Sequence, residues 1–178
     1  MLFRSHEPIQ HLLPENFTIG QSRLFVSEAE KSGINKLLTG DGLNGKYFVV
    51  TPGAAWAQKR WKAERYARVI DQCAKEFNMQ AVLIGGVGDD ICEMIQYSAD
   101  SRVIDRHGKT NLRESLAIIS QAEFVLGSDT GFLHAGEALG ISAVTLLGPT
   151  AKETGAGAFL PDHDLGCPDH DLGCPEHD

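Results

Sequence analysis

The sequence predicts an α/β fold, a Rossmann-like parallel sheet of about five strands with helices on both faces. From residue 47 onward, short apolar runs alternate with amphipathic helical stretches, and each run ends in a Gly-rich or polar turn. Strands that alternate with helices form a parallel sheet, because parallel neighbours need a crossover and that crossover is right-handed. Size and composition agree: 178 residues, 42% hydrophobic and 22% charged, suit one soluble domain with appendages and exclude a disordered or collagenous chain. No run reaches the roughly 18 apolar residues of a membrane span.

Residues 1–26 have little periodicity and contain Pro8 and Pro14, so they read as a connecting arm. Ser27, with Glu30 three positions on, is a capping-box pattern that opens a helix with Ile34, Leu37 and Leu38 on one stripe; Gly40, Gly42 and Gly45 then break it. The strand candidates are 47–51, 81–84, the weaker 102–104, 123–126 and 142–147. Between them helices are expected over about 62–77, 89–98, 111–120 and 131–139. In the first of these, Tyr66, Val69, Ile70, Cys73 and Phe77 share a face, and Asn111 with Glu114 caps the third. The expected division is an arm and linker helix over 1–46, a Rossmann-like domain over 47–155 and an acidic low-complexity tail over 156–178, where Pro-Asp-His-Asp-Leu-Gly-Cys repeats.

The net charge of −8 is concentrated in that tail, which holds Asp162, Asp164, Asp169, Asp171, Glu176 and Asp178 without a Lys or Arg from 161 to 178. The body is near neutral and has no basic cluster, which argues against nucleic acid as a partner. Cys73 and Cys92 fall in helix-like stretches and read as buried thiols of a reducing compartment. The polar N-terminus lacks the apolar stretch of a signal peptide, so a cytoplasmic location is expected. In the tail, His163, Cys167, His170, Cys174 and His177 are soft donors that could take Zn²⁺, although seven-residue spacing is not a compact ligand pattern and an unstructured acidic tail is the simpler reading.

In a doubly wound sheet ligands bind beyond the carboxyl ends of the strands, so three loops matter. In 52–61, Gly53, Ala54 and Ala55 leave room at the backbone, and Lys59 and Arg60, flanked by Trp56 and Trp61, bring positive charge near a helix start; charge alone does not rank the two cations. In 85–90 the glycines match a dinucleotide fingerprint only in part, so Asp89 and Asp90 read first as helix caps and second as ribose acceptors. The loop 127–134, Gly-Ser-Asp-Thr-Gly-Phe-Leu-His, leaves a strand and starts a helix whose first N–H groups and dipole favour an anion. There Gly131 permits close approach of a diphosphate and Thr130 adds donors. His134 lies one turn in, and Asp129 is expected to cap the helix or orient a donor such as Lys59. Asp129-Thr130-Gly131 also spells the aspartic protease triplet, but one triplet opening a helix does not supply two facing carboxylates.

Pro52-Gly-Ala-x-Trp with Lys59-Arg60-Trp61, Leu83-Ile-Gly-Gly86, Lys109-Thr-Asn-Leu112, and Gly127-Ser-Asp-Thr-Gly-x-x-His134 ending in Gly148-Pro-Thr150 together resemble the C-terminal half of glycosyltransferase family 9, the ADP-heptose:lipopolysaccharide heptosyltransferases. The resemblance runs from about 23 to 155 and implies a GT-B fold whose C-terminal half binds the nucleotide-sugar donor. It implies that Lys59 contacts the phosphates or sugar, Asp89 or Asp90 the ribose, Thr110 the nucleoside, and Asp129, Thr130, Gly131 and His134 the diphosphate region. It further implies that no metal or cofactor is needed, that the general base lies in an acceptor domain with no counterpart here, and that the acceptor is lipopolysaccharide core, with peripheral contact at the inner face of the inner membrane. The first 22 residues are too short for that acceptor domain, so a truncated form, inactive in transfer by itself, is expected. The competing expectation is a non-catalytic nucleoside-diphosphate binding module.

Overall fold

The computed structural model describes residues 22–54 and 60–146. Residues 1–21 of the arm, the segment 55–59 with Lys59, and residues 147–178, with Gly148-Pro-Thr150, the end of the expected domain and the tail, lie outside the described residues. Among the described residues, five helices and five strands follow in order: α1 (Glu28–Gly40), β1 (Tyr47–Thr51), α2 (Ala63–Phe77), β2 (Gln80–Leu83), α3 (Ile91–Ser98), β3 (Val103–Asp105), α4 (Leu112–Ile119), β4 (Phe124–Ser128), α5 (Gly131–Ala138) and β5 (Ser142–Leu146). All pairings are parallel and the strand order is β3-β2-β1-β4-β5. This is the expected Rossmann-like sheet.

Strand alternation divides the core in two. Val49, Val82 and Val125 point to one face, where Ile34 and Leu38 of α1, Ile118 of α4 and Leu133 of α5 meet them. Phe48, Val50 and Leu83 point to the other, under Tyr66 and Ile70 of α2 and Ile95 of α3. β1 is buried along its whole length, as the central strand of a doubly covered sheet must be. Over β4 and β5 on the α2 side, Phe124, Val144 and Leu146 are only partly buried, with Phe124 stacked on Phe48 at 4.7 Å between ring centroids.

Both predicted capping boxes form. Ser27 and Glu30 exchange bonds at the start of α1, and Asn111 and Glu114 do so at the start of α4. Arg113 of α4 reaches across to Glu30 at 2.7 Å, so the two caps are joined by an ion pair. On α2 the predicted face is buried at Tyr66, Ile70 and Cys73, but Phe77 is 58% exposed. It stands at the last helical position, where the chain turns through Asn78 in the left-handed region (φ 52°) toward β2. Cys73 and Cys92 are buried free thiols, and burial, with smaller contributions from nearby carboxylates, pushes the Cys92 thiol up to about 12. No described helix is long and apolar enough to cross a membrane.

Candidate functional site

The strand order reverses direction at β1 and β4: successive strands from β1 run toward β3, and from β4 toward β5. The crevice at the carboxyl ends of these two neighbours is where a doubly wound sheet binds ligands. β1 and β4 approach closely there because residue 127 is glycine; a Cβ at Gly127 would overlap Thr51 Oγ1. β4 therefore continues through Gly127 and Ser128, two residues beyond the predicted strand, and delivers Asp129 and Thr130 to the crevice.

A cleft of about 350 Å³ opens at this point, lined among others by Thr51, Gly53, Arg60, Asp89, Thr130 and Phe132. Thr130 is the N-cap of α5 in extended backbone (φ −137°, ψ 165°), and its side chain makes no capping bond. Its Oγ1 is buried and has no hydrogen-bond partner. Next to it, an ideal Cβ on Gly131 meets no protein atom within 4 Å, so the first turn of α5 opens onto free space. α5 sits close on the sheet because Gly136 faces Val125, where a Cβ would come within 3.0 Å of Val125 Cγ2.

The loop after β2 is folded differently from the capping expectation. Asp90 occupies the N-cap of α3 without a side-chain capping bond. Asp89 accepts the Gly86 N–H at 2.7 Å, and its carboxylate fills the space that side chains at Gly53 and Gly85 would need. Those two glycines let the β1 and β2 loops close around one carboxylate, which stands in the cleft wall. The turn after β3 is latched to the same loop by Gly108 N–H to Gly85 O at 2.9 Å.

Thr110 is held elsewhere, with its hydroxyl 2.9 Å from that of buried Ser115. Beside it, Lys109 bonds Asp105 at 2.8 Å and His107 Nδ1 lies 2.6 Å from the same carboxylate. Burial pushes the Asp105 carboxyl up, but its bonds to Lys109 and His107 outweigh this and leave it below the ordinary carboxylate range. A larger hollow of about 480 Å³ lies near the β3 edge between Asp41, Arg102 and Lys109. Asp41 there binds Arg106 and Lys109 binds Asp105, while Arg102 donates to the Asp41 backbone carbonyl.

The expected bond that orients Lys59 falls outside the described residues; among the described residues, Asp129 bonds His134 rather than capping α5. Its Oδ1 lies 3.0 Å from His134 Nε2, while His134 Nδ1 lies 3.3 Å from Glu137 Oε2. The hydrogen bond to Glu137 is the chief reason that the imidazole is held above its ordinary range, against the opposing effect of burial. Sequence reasoning missed Glu137, although its position three residues after His134 on a helix was a signal. It also left Arg60 unranked: Arg60 lines the cleft, with Nε donating to Ala54 O at 2.9 Å. Of the predicted site residues, the structure thus brings Asp89 and Thr130 to one cleft. Gly131 and the Asp129–His134 pair adjoin it on α5, and Thr110 and Asp90 are placed apart from these contacts.

The sequence model of glycosyltransferase family 9 (heptosyltransferase) matches residues 14–158, most of the chain. The chain belongs to this family. It is 28% identical over 140 residues to lipopolysaccharide heptosyltransferase 2 of Salmonella typhimurium, an alignment that covers 74% of this chain and 39% of the relative. Among solved structures, the fold resembles the ADP-heptose lps heptosyltransferase II of E. coli, with a TM-score of 0.71 and 26% identity over 81% of this chain and 44% of that one. A family 9 glycosyltransferase from Veillonella parvula shares the fold at a TM-score of 0.73, with 23% identity over 80% of this chain and 42% of that one. This family 9 chain spans less than half the length of these relatives.

Proposed function

We propose that residues 47–155 form the donor-binding part of a heptosyltransferase, the C-terminal half of a GT-B fold, and hold the diphosphate of a nucleotide sugar at the start of α5. The observation that carries this reading is the N-terminus of α5 at the sheet's switch point. An N-cap without a side-chain bond, a buried Thr130 hydroxyl without a partner and open space at Gly131 leave donors directed at one spot. In the reaction, charge accumulates on the departing nucleoside diphosphate. Helix N–H groups already oriented toward that charge stabilise it without reorganising. Arg60 adds positive charge from the β1 side, and Lys59, the residue before it in sequence, is expected to add a second charge. The acceptor hydroxyl loses its proton to a base supplied by an acceptor domain, since the groups at this cleft serve the leaving group. ADP and heptose as donor, and lipopolysaccharide as acceptor, are the ligands that the names of the relatives suggest.

Calorimetric titration with ADP tests the reading. Lys59, which the family resemblance assigns to the phosphates, is expected on substitution by Ala to cost a charge-assisted contact on the order of 1.5–3 kcal/mol, roughly ten- to a hundredfold in affinity. Arg60→Ala is expected to weaken binding as well, because Arg60 lines the cleft. Gly131→Val should weaken it while the fold persists, since the new side chain meets ligand rather than protein. Unchanged affinity in all three variants would refute the site. ADP binding without sugar transfer when an acceptor domain is supplied would favour a non-catalytic diphosphate-binding module.

A further inference from the structure

Two features of α5 are unexplained by a diphosphate site alone. Both ring nitrogens of His134 face carboxylate oxygens, Nε2 toward Asp129 at 3.0 Å and Nδ1 toward Glu137 at 3.3 Å. A neutral imidazole has one N–H and would present a lone pair to one of those oxygens, whereas an imidazolium donates to both. The Glu137 side chain is only 6% exposed, and its second oxygen, Oε1, is buried without a hydrogen-bond partner. A carboxylate that deep is costly unless a cation stands beside it, and among the described residues His134 is the cation paired with it.

We propose that Glu137 is a positioning residue that keeps His134 doubly protonated and fixes its ring, so that Nε2–H is presented from the first turns of α5 to an anionic ligand oxygen. The inference rests on the donor-site reading for its ligand, but not for the pairing itself. Glu137 anchors Nδ1 from the buried side of the helix. Asp129 holds Nε2 at the outer side, where a phosphate oxygen competes for the same N–H. The charged groups that act on the ring are these two carboxylates. β5 contributes no titratable side chain, and on α4 Arg113 is engaged by Glu30 and Glu114 by the Asn111 N–H. The helical spacing of three residues supplies the tether within one element, so the imidazolium does not depend on ligand to form.

The test compares wild type with Glu137→Gln, which keeps shape and removes charge, and Glu137→Asp, which keeps charge on a shorter stem. NMR titration of the imidazole nitrogens follows the His134 protonation directly. The expected result is a midpoint displaced to lower pH in Glu137→Gln and largely restored in Glu137→Asp. ADP affinity measured against pH is the second readout. In wild type it should fall as pH rises through the His134 midpoint, and Glu137→Gln should move that fall to lower pH, with a roughly tenfold loss between the two midpoints and none below both. Identical His134 titration in wild type and Glu137→Gln overturns the proposal even if ADP binds. A displaced midpoint with no ADP binding at any pH upholds the tether and overturns the donor reading instead.

Discussion

Thr51 and Gly127 are paired residues of β1 and β4, and the Thr51 hydroxyl occupies the space that a side chain at 127 would take. That contact brings the two strands together at the switch point and sets where α5 begins. Gly127→Ala is therefore expected to destabilise the fold by about 1–3 kcal/mol through overpacking, visible as a lower urea midpoint. Gly131→Ala, four residues on, meets no protein atom and should leave that midpoint nearly unchanged. Equal midpoints for wild type and both variants would contradict the packing described here.

A second prediction separates buried from exposed positions on one helix. Ile70 is 1% exposed and Phe77 58%. Ile70→Ala should cost about 2–5 kcal/mol, and Phe77→Ala should stay within about 1 kcal/mol. Chemical denaturation of the two variants measures both. Comparable losses would mean that Phe77 is a core residue, as its helical period alone suggests.

The contrast shows what was legible in the sequence. Helical period assigns a direction, and at Tyr66, Ile70 and Cys73 that direction points into the sheet. At Phe77 the helix ends and the same direction leads to solvent, which only tertiary placement reveals. The capping boxes at Ser27 and Asn111 were readable because both partners lie within one turn. The extension of β4 through Gly127 was not, because glycine reads as a break until its partner strand is known. Around the candidate site, the opening of α5 at Thr130 and Gly131 followed from the strand-turn-helix pattern. The burial of Glu137 did not, since it depends on how α5 lies against β4 and β5. Asp89 differs from the expected cap because its partner, Gly86 N–H, belongs to a turn and not to the helix that follows.

The ion pair between Glu30 and Arg113 yields an acid-side prediction. Hydrogen bonds from Arg113 and Ser27 hold the Glu30 carboxyl at about 2, below its ordinary 4.5. The folded chain therefore binds this proton less readily than the unfolded chain. Its contribution is present above about pH 4.5 and is lost as pH falls toward 2. Glu30→Gln should flatten the fall of the urea midpoint across that window. A wild-type and a Glu30→Gln profile that run parallel there would show that the pair does not act on folding.

The central claim, that the start of α5 holds a nucleoside diphosphate, is tested most directly by mapping ADP on the ¹⁵N-labelled chain. Backbone amide shifts are followed to saturation in wild type and in Gly131→Val. The amides of Thr130, Gly131 and Phe132 are expected to move most, with smaller shifts at Gly53 and Arg60 across the cleft, and Gly131→Val is expected to suppress all of them. Shifts centred instead on Asp41, Arg102 and Lys109, the other hollow near the β3 edge, would contradict it, as would no shift at all at millimolar ADP.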